Sequence, residues 1–473
     1  MIYSKFEDID TSNYPVVIFG SGPAGLTLAL ELENKKINSI IIEAGDEDFN
    51  DNSQNLYKSK FTLDELTETS VSRLRQLGGT SGHWGGWCKP FDDYDLKSWP
   101  ININEINNYK DQTCQILEIK NQFRKSKINN SLEQIEFQYS KVRFAEKYKS
   151  YIKNSKNISL FLNTQLSHFN EDRGRIVSAV CISNDGGVKI INSKIFILAA
   201  GGIENSRILL WTKIQSKGSL NNNENIGKYW MTHSWILAGT GVLEEDKLIN
   251  FMKNNYIGYE APIHFASKLE FINKNQNISA AVYMDPEKNK KKYKEIIKDI
   301  LCIAPNYGKE LAGKIFGKSL KCGNIFMHIE DLANINNQIS LDLNETDKFR
   351  IPIANINYKR SIDTVTTAKL FLKEFSEFCR VNSVGRIAMH ENIYNLKNNI
   401  EYLGEYHHMG GTRMGESEKN SVVDKNLKVH KIENLYVAGS SVFPSCGYKN
   451  PTFTITQLSL RLGDFLKEQL TKV

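Results

Sequence analysis

A glycine-rich turn close to the first residue constrains the fold more strongly than any other feature of the chain. The apolar, β-branched run YPVVIF ends at residue 19, and GSGPAG follows it. The next residues, LTLALELENKK, have the periodicity of a helix, and SIIIEAG has the pattern of a second strand. This order predicts a βαβ unit at the beginning of the chain.

The spacing within this unit predicts a dinucleotide site. Gly20, Gly22 and Gly25 form the pattern G-x-G-x-x-G. The three glycines allow a tight turn, a close approach of the backbone to a pyrophosphate, and close packing of the helix on the strand. Glu43 closes the second strand, where we expect it to accept hydrogen bonds from the adenosine ribose. The motif does not separate NAD from FAD, and an ordinary glycine-rich turn would leave Glu43 unexplained.

Two later segments repeat the order of strand, turn and helix. One is KIFILAAGGIENSRILLW, residues 194–211, and the other starts with NLYVAGSSVFP, residues 434–444, and continues into a C-terminal helix. We interpret these pieces and the βαβ unit as one nucleotide-binding domain interrupted by insertions.

The insertion from about residue 216 to 394 has a different pattern. The stretches WILAGTGVL, ISAAVYM, NIFMHIE and QISLDL alternate in hydrophobicity, as in an antiparallel sheet with one face turned to a cavity. A lysine-rich helix is predicted at 286–301.

Length and composition agree with two associated domains. The chain has 473 residues, more than one hydrophobic core usually supports. Its net charge of +6 is mild, so we interpret the basic runs as solvated faces and expect no nucleic-acid partner. The seven cysteines are scattered, which indicates neither a disulfide framework nor a zinc site, and no metal is expected. With no visible signal peptide and no apolar run of about 18 residues, a cytoplasmic protein without a membrane span is expected.

Six ordered signatures carry a resemblance to a known family. They are GSGPAG with Glu43, LGGTSGHWGG (77–86), SWPININEINNY (98–109), LAAGGIENSRILL (198–210), ENIGKYWMTHS (224–234), and the C-terminal pair of HHMGGTRMG (407–415) and NLYVAGSSVFPSCGYKNPTFTITQLSLRLGD (434–464). From about residue 14 to its end the chain resembles the glucose-methanol-choline (GMC) flavoprotein oxidoreductases. The resemblance implies FAD as cofactor and oxidation of an alcohol.

The same resemblance implies a fold of the α/β class. It combines an interrupted Rossmann-like FAD-binding domain with a substrate domain whose mainly antiparallel β-sheet is flanked by helices. We assign residues 1–95, 155–215 and 395–473 to the FAD-binding domain. Residues 96–154 and 216–394 are assigned to the substrate-binding domain.

FAD contacts are implied along most of the chain. The loop after Leu77 is expected beside the isoalloxazine, Leu166 near the adenine, and the segment around Gly439 near the ribityl and pyrophosphate. The alternative for Leu166 is an ordinary edge strand that makes no contact with the cofactor. The residues implied to bind the cofactor are Gly20, Gly22, Pro23, Ala24, Gly25, Glu43, Arg75, Gly79, Thr80, Ser81, His83, Trp84, Gly85, Leu166, Ala200, Gly201, Asn205, Gly439, Ser440, Asn450, Pro451 and Thr452.

His83 lies in TSGHWG, which resembles the segment through which some sugar oxidases attach the flavin covalently to a histidine. Many members of the family bind FAD noncovalently, and we do not favour attachment through His83.

Two residues are expected to carry the chemistry. An alcohol gives up a hydride as its hydroxyl proton leaves, so a base must reach the hydroxyl, and imidazole suits this role. The family places a histidine in the pattern H-x-x-G, and His407 occupies that position in the segment Glu405–Gly415. The adjacent His408 is expected to be structural. Asn450 takes the position of the family's second partner, where its amide would orient the substrate oxygen.

The substrate predicted by these features is a small-molecule alcohol, with a sugar or polyol preferred. Three alternatives stay open: a sterol-type alcohol oxidase, a lyase in which FAD is structural, and a nonenzymatic FAD-binding or interaction protein. Oxygen, a quinone or a carrier protein would each fit as the electron acceptor.

Overall fold

The computed structural model describes residues 1–4, 11–64, 66–216, 218–244, 264–286, 320–395, 402–404 and 406–471. The strands in these ranges are β1 (Ile2–Tyr3), β2 (Val16–Phe19), β3 (Ser39–Ile42), β4 (Ser59–Leu63), β5 (Trp87–Cys88), β6 (Lys125–Lys127), β7 (Leu132–Ile135), β8 (Gln138–Tyr139), β9 (Ile158–Phe161), β10 (Thr164–Asp172), β11 (Arg175–Ser183), β12 (Val188–Ile191), β13 (Ile195–Leu198), β14 (Ser234–Glu244), β15 (His264–Ser267), β16 (Ala280–Pro286), β17 (Leu320–Ile329), β18 (Gln338–Thr346), β19 (Pro352–Tyr358), β20 (Gly385–Met389), β21 (Tyr402–Gly404) and β22 (Leu435–Val437).

The α-helices in the same ranges are α1 (Pro23–Asn34), α2 (Asp51–Gln54), α3 (Thr69–Ser72), α4 (Ile103–Asn107), α5 (Lys110–Ile116), α6 (Phe144–Asn154), α7 (Glu204–Gln215), α8 (Leu269–Asn275), α9 (Ile362–Val381), α10 (Glu391–Tyr394) and α11 (Thr452–Thr471). None of these helices is long and apolar enough to cross a membrane.

A six-stranded parallel sheet forms the centre of the nucleotide-binding part. Its order is β1-β9-β3-β2-β13-β22, so strands from the beginning, middle and end of the chain lie side by side. The residues of β2, β3, β13 and β22 are buried, as expected for a parallel sheet covered on both faces. The βαβ unit and the two later strand-turn-helix segments therefore meet in one sheet.

Helix α1, which follows β2, packs closely on the last helix, α11. A side chain at Gly463 in α11 would collide with Glu31 of α1, because its Cβ would lie 2.6 Å from the Glu31 Cγ. The two ends of the chain thus cover the parallel sheet together.

A second sheet is antiparallel and carries the predicted alternating stretches. Its order is β20-β14-β17-β16-β15-β7-β6, with β21 paired to β14. Helix α9 covers one face through Phe371, Phe375 and neighbouring apolar residues, which pack with Ile325 and Met327 of β17. The opposite face is left to contribute to a cavity, as the alternation predicted.

Two small sheets join the parts that we assigned to different domains. Strand β4 pairs with β19 in the order β18-β19-β4, and β5 pairs with β8. The stretch QISLDL forms β18 in one of these small sheets and not in the large one. The domain division stays a proposal. Of the helix predicted at 286–301, Pro286 instead ends β16, and residues 287–301 lie outside the described ranges.

Candidate active site

A cavity of about 680 Å³ lies between the carboxyl ends of the parallel strands and the open face of the antiparallel sheet. Most of the residues implied by the sequence line it. They are Gly20, Gly22, Pro23, Ala24, Glu43, Arg75, Gly79, Thr80, Ser81, His83, Trp84, Gly85, Leu166, Ala200, Gly201, His407, Gly439, Ser440, Asn450, Pro451 and Thr452. Most of the implied cofactor residues and the two implied catalytic residues therefore share one cavity.

The glycines of the first turn have the three expected environments. Gly20 has a φ of +110°, and a side chain there would overlap the carbonyl oxygen of Ala199. A side chain at Gly25 would overlap the carbonyl of Gly20, so Gly25 lies against the strand and not in the cavity. A Cβ at Gly22, by contrast, would meet no protein atom within 4 Å. The N-terminus of α1 therefore opens onto the cavity through Gly22, as an anion-binding helix end does.

Glu43 is buried and holds the turn as well as lining the cavity. Its Oε2 accepts hydrogen bonds from the backbone N–H of Ser21 at 2.9 Å and from the Ser21 hydroxyl at 2.6 Å. Its Oε1 accepts one bond from the N–H of Gly45 at 2.8 Å. A carboxylate has about four acceptor positions, so Glu43 retains capacity for a ribose hydroxyl.

Arg75 is buried beside the predicted adenine position. Its Nη2 donates to Oε1 of Gln165 at 2.9 Å, and Gln165 precedes Leu166 in β10. Burial lowers the pKa of the Arg75 guanidinium. The arginine therefore fixes the loop 73–86 to the strand that carries Leu166.

Asn205 lies just behind the residues that line the cavity, and its direct contact with the cofactor stays a prediction. Its Oδ1 accepts from the N–H of Ala200 at 2.8 Å, and its Nδ2 donates to the carbonyl of Ala438 at 3.0 Å and to the Ser441 hydroxyl at 2.8 Å. The side chain is completely buried. Asn205 joins the turn after β13 to the turn after β22, and so shapes the cavity from behind.

A charged network on the nucleotide side was missed from the sequence. Glu204 accepts hydrogen bonds from Arg73 at 3.0 Å and from Arg207 at 3.1 Å, and Arg207 also pairs with Asp347 at 2.7 Å. Burial opposes the charge on Glu204, but the two guanidinium groups hold its pKa below the usual value. The only sequence signal was the i, i+3 spacing of Glu204 and Arg207 on the helix after the second turn.

His407 is held by a chain of hydrogen bonds that fixes its tautomer. Nδ1 of His233 lies 3.3 Å from the carbonyl oxygen of Gly447, and Nε2 of His233 lies 2.6 Å from Nδ1 of His407. A carbonyl oxygen only accepts, so Nδ1 of His233 carries the proton and its Nε2 is an acceptor when the ring is neutral. Nδ1 of His407 must then donate, which leaves the lone pair on Nε2 of His407.

Burial keeps both rings neutral. It lowers the pKa of His407 to about 4, and it lowers that of His233 well below the usual histidine value, with a further contribution from His407. His407 lines the cavity, so its basic nitrogen belongs to a ring that a substrate reaches. The geometry therefore offers a neutral acceptor for a proton.

His408 has a different environment from its neighbour. Its Nε2 lies 2.9 Å from the Ser72 hydroxyl, and its ring stacks on Trp230 at 5.7 Å between centroids. It also borders the cavity. These contacts agree with a structural role, which stays a prediction.

Asn450 ends a tightly held segment at the start of α11. Its Nδ2 donates to the carbonyl oxygen of Trp87 at 2.9 Å. The preceding residue, Lys449, is buried and forms ion pairs with Asp95 and, at 2.8 Å, with Asp92. The side chain of Asn450 is therefore held by one hydrogen bond, on a segment that the Lys449 ion pairs anchor, while it borders the cavity.

The antiparallel sheet contributes an aromatic wall that the sequence reasoning did not assign by residue. Trp235 and His328 are cross-strand partners, and their rings are nearly parallel at 6.0 Å. Tyr283 lies 5.7 Å from the His328 ring and accepts a hydrogen bond from Nε1 of Trp235 at 3.0 Å. The period-two alternation of WILAGTGVL, ISAAVYM and NIFMHIE could have identified these positions, because the same face of each strand points to the cavity.

The cavity fits FAD by three observations. Its volume lies within the range of about 300–1,000 Å³ that is typical of ligand and cofactor sites. Gly22 and Gly85 leave room where a Cβ would meet no protein atom within 4 Å. The N-terminus of α1 adds unpaired N–H groups and a dipole that favours a pyrophosphate. Among the described residues, no group of histidine, cysteine and carboxylate side chains is arranged to bind a metal ion.

The chain is similar in sequence to a family of oxidoreductases and to two curated dehydrogenases. Residues 336–459 match a protein-family model described as GMC oxidoreductase. The chain is 25% identical over 290 residues to the fructose dehydrogenase large subunit of Gluconobacter japonicus, which covers 59% of this chain and 48% of that protein. It is 25% identical over 318 residues to 2-methyl-1,2-propanediol dehydrogenase of Mycolicibacterium austroafricanum, covering 66% of this chain and 54% of that protein. The chain thus spans about half the length of these curated relatives.

The fold is shared with solved structures over nearly the whole chain. Pyridoxine 4-oxidase from Mesorbium loti superposes with a TM-score of 0.61 over 96% of this chain and 99% of that chain, at 12% identity. At such low identity the likeness concerns the fold alone. It confirms the predicted fold class of an interrupted Rossmann-like domain with an antiparallel substrate sheet.

Proposed function

We propose that the chain, whose residues 336–459 match the GMC oxidoreductase family model, is an FAD-dependent oxidoreductase that acts on a CH–OH group. The observation that carries the proposal is the hydrogen bond from Nδ1 of His407 to Nε2 of His233, which leaves a basic nitrogen on a ring that lines the same cavity as the glycine turn.

FAD would be held by the residues that line the nucleotide side of the cavity. The α1 N-terminus at Gly22 would receive the pyrophosphate, Glu43 the ribose, and the surroundings of Leu166 the adenine. The loop Gly79–Gly85 and the turn at Gly439 and Ser440 would contact the flavin portion. We propose noncovalent binding, so that denaturation releases the yellow cofactor. When bound, FAD supplies the acceptor for the hydride.

The chain's own residues would move the proton and orient the substrate. Nε2 of His407 would take the hydroxyl proton as the C–H bond of the alcohol breaks, because the developing carbonyl needs that electron density. Asn450 would orient the oxygen through the amide hydrogen that Trp87 does not occupy. His407 keeps its bond to His233 throughout, since Nδ1 remains a donor in the imidazolium.

A neutral polyhydroxylated substrate, a sugar or polyol, fits the lining best. On the substrate side, the described lining includes the aromatic residues Trp87, Trp235, Tyr283, His328 and Tyr406, and burial lowers the pKa of His328 well below the usual histidine value. The charged lining residues Glu43, Arg73, Arg75, Glu204 and Arg207 all belong to the nucleotide side. Aromatic faces with hydrogen-bonding edges suit a hydroxylated ring better than a sterol, which needs a continuous apolar wall. The names of two relatives, acting on fructose and on a diol, point the same way.

Anaerobic mixing of the FAD-loaded protein with a panel of sugars, polyols and simple alcohols tests the proposal. At least one member should bleach the main visible absorbance band of the flavin without oxygen. A redox-silent lyase would bind FAD and never bleach with any alcohol. Failure to bind FAD, or binding without bleaching across the panel, would overturn the proposal.

A further inference from the structure

His233 lies behind His407 and is hydrogen-bonded to it. The ring is 2% exposed and lies between Gly447 on the segment before α11 and His407 on the segment after β21. Its centroid is 4.6 Å from that of His407, and the two rings are perpendicular at 80°. The contact is therefore edge-on, with a nitrogen of His233 directed at a nitrogen of His407.

Among the described residues, one side chain, that of His233, is hydrogen-bonded to the His407 ring. A neutral imidazole exists as two tautomers, and each places the lone pair on a different nitrogen. If Nε2 of His407 carried the proton, Nδ1 of His407 and Nε2 of His233 would face each other as two lone pairs at 2.6 Å. His233 cannot relieve this by carrying its own proton on Nε2, because the carbonyl oxygen of Gly447 needs a hydrogen-bond donor at Nδ1 of His233.

The segments that carry these groups are themselves fixed. Asp331 donates its backbone N–H to Sγ of Cys446 at 3.1 Å, and the Cys446 thiol donates back to the Asp331 carbonyl at 3.2 Å. The hydroxyl of Tyr358 donates to the Asp331 carboxylate at 2.9 Å, and the carboxylate also bonds to the backbone of Thr232, next to His233. The carbonyl of Gly447 and the ring of His233 are thus anchored to one buried residue.

We propose that His233 is the positioning residue of the reaction: through its bond to the Gly447 carbonyl it sets the tautomer of His407 and directs the lone pair of Nε2 into the cavity. The inference rests on the proposed alcohol oxidation, with His407 as its base. The relay has a fixed polarity, running from His407 as donor through His233 to the backbone carbonyl. A residue that merely filled space between the two segments would not need this polarity.

Two variants separate positioning from packing. His233→Leu fills a similar volume but accepts no hydrogen bond, whereas the side-chain carbonyl of His233→Gln lies near the place of Nε2 and accepts one. We expect His233→Leu to lower the anaerobic rate of flavin reduction about 10- to 100-fold, by analogy with the cost of removing the hydrogen-bond partner of a metal-ligating imidazole. His233→Gln should recover most of that loss, and FAD affinity should stay unchanged in both variants.

The tautomer itself can be observed without turnover. Long-range ¹H–¹⁵N spectra of the FAD-loaded protein labelled with ¹⁵N-histidine distinguish the two tautomers, and a His407→Gln sample assigns the His407 signals. The wild type should show His407 with its proton on Nδ1, and His233→Leu should show a mixture or the reverse.

The outcomes separate this inference from the proposed function. An Nε2-protonated His407 in the wild type, or equal rates in wild type and His233→Leu, would overturn the role of His233 while alcohol oxidation stands. A wild type that binds FAD but is never reduced would overturn the proposed function, and the inference with it.

Discussion

Lys449, the residue before Asn450, forms a buried ion pair through its Nζ with the carboxylate of Asp95. The Lys449 side chain is 1% exposed and that of Asp95 is completely buried. The pair fixes the segment that carries both Asn450 and the Gly447 carbonyl. Loss of this ion pair would therefore affect both the stability of the protein and the position of these two groups in the site.

Lys449→Met is expected to lower the free energy of unfolding by about 3–5 kcal/mol, because it leaves the Asp95 carboxylate buried without its partner. Lys125 supplies a matched control, since it also pairs with Asp92, at 3.1 Å, but is 42% exposed. Lys125→Met should cost less than about 1 kcal/mol. Denaturant unfolding of the three proteins measures the difference, and equal losses for the two variants would contradict the account.

Substitutions at two glycines of the first turn should separate cofactor binding from folding. A Cβ at Gly22 enters open cavity space, so Gly22→Ala should fold normally and weaken FAD binding at least about tenfold, which corresponds to 1.4 kcal/mol. A Cβ at Gly25 overlaps the Gly20 carbonyl, so Gly25→Ala should destabilise the protein itself. FAD titration followed by flavin fluorescence, and thermal unfolding of the apoprotein, give the two readouts. Normal FAD affinity in Gly22→Ala would place the pyrophosphate elsewhere.

The pH dependence of flavin reduction should reflect the buried environment of His407. Burial disfavours the imidazolium and lowers the pKa of His407 to about 4, so the basic form is already present at neutral pH. The apparent second-order rate constant should therefore be level between about pH 6 and 8 and fall only as the pH approaches 4. Stopped-flow absorbance across this range checks the expectation. A rise centred near the ordinary histidine pKa of about 6.5 would show that the base is not so buried.

The sequence predicted the nucleotide part of the fold well because local patterns determine it. A buried β-branched run, a glycine turn and a helix recur at residues 16–34 and 195–215, and each turn needs backbone geometry that glycine supplies. The hydrogen bonds of Asn205 could not be predicted from the sequence, because they depend on the turn after β22, more than 200 residues away.

The substrate side was predicted only in outline, because its contacts also join residues that are far apart in the chain. Alternation indicated a sheet with a face toward a cavity, but the register that places Trp235 opposite His328 comes from long-range pairing. The bond between His233 and His407 joins residues 174 positions apart, and no local pattern reports it. His407 was found from the sequence only through its family motif.

The most direct test of the central claim is anaerobic stopped-flow reduction of His407→Ala and wild-type protein, both loaded with FAD, by the best alcohol from the panel. The account predicts that both proteins bind FAD equally and that the rate constant of the variant is about 10²- to 10⁴-fold lower, the usual contribution of a general base. A variant reduced within a few-fold of the wild-type rate would contradict it.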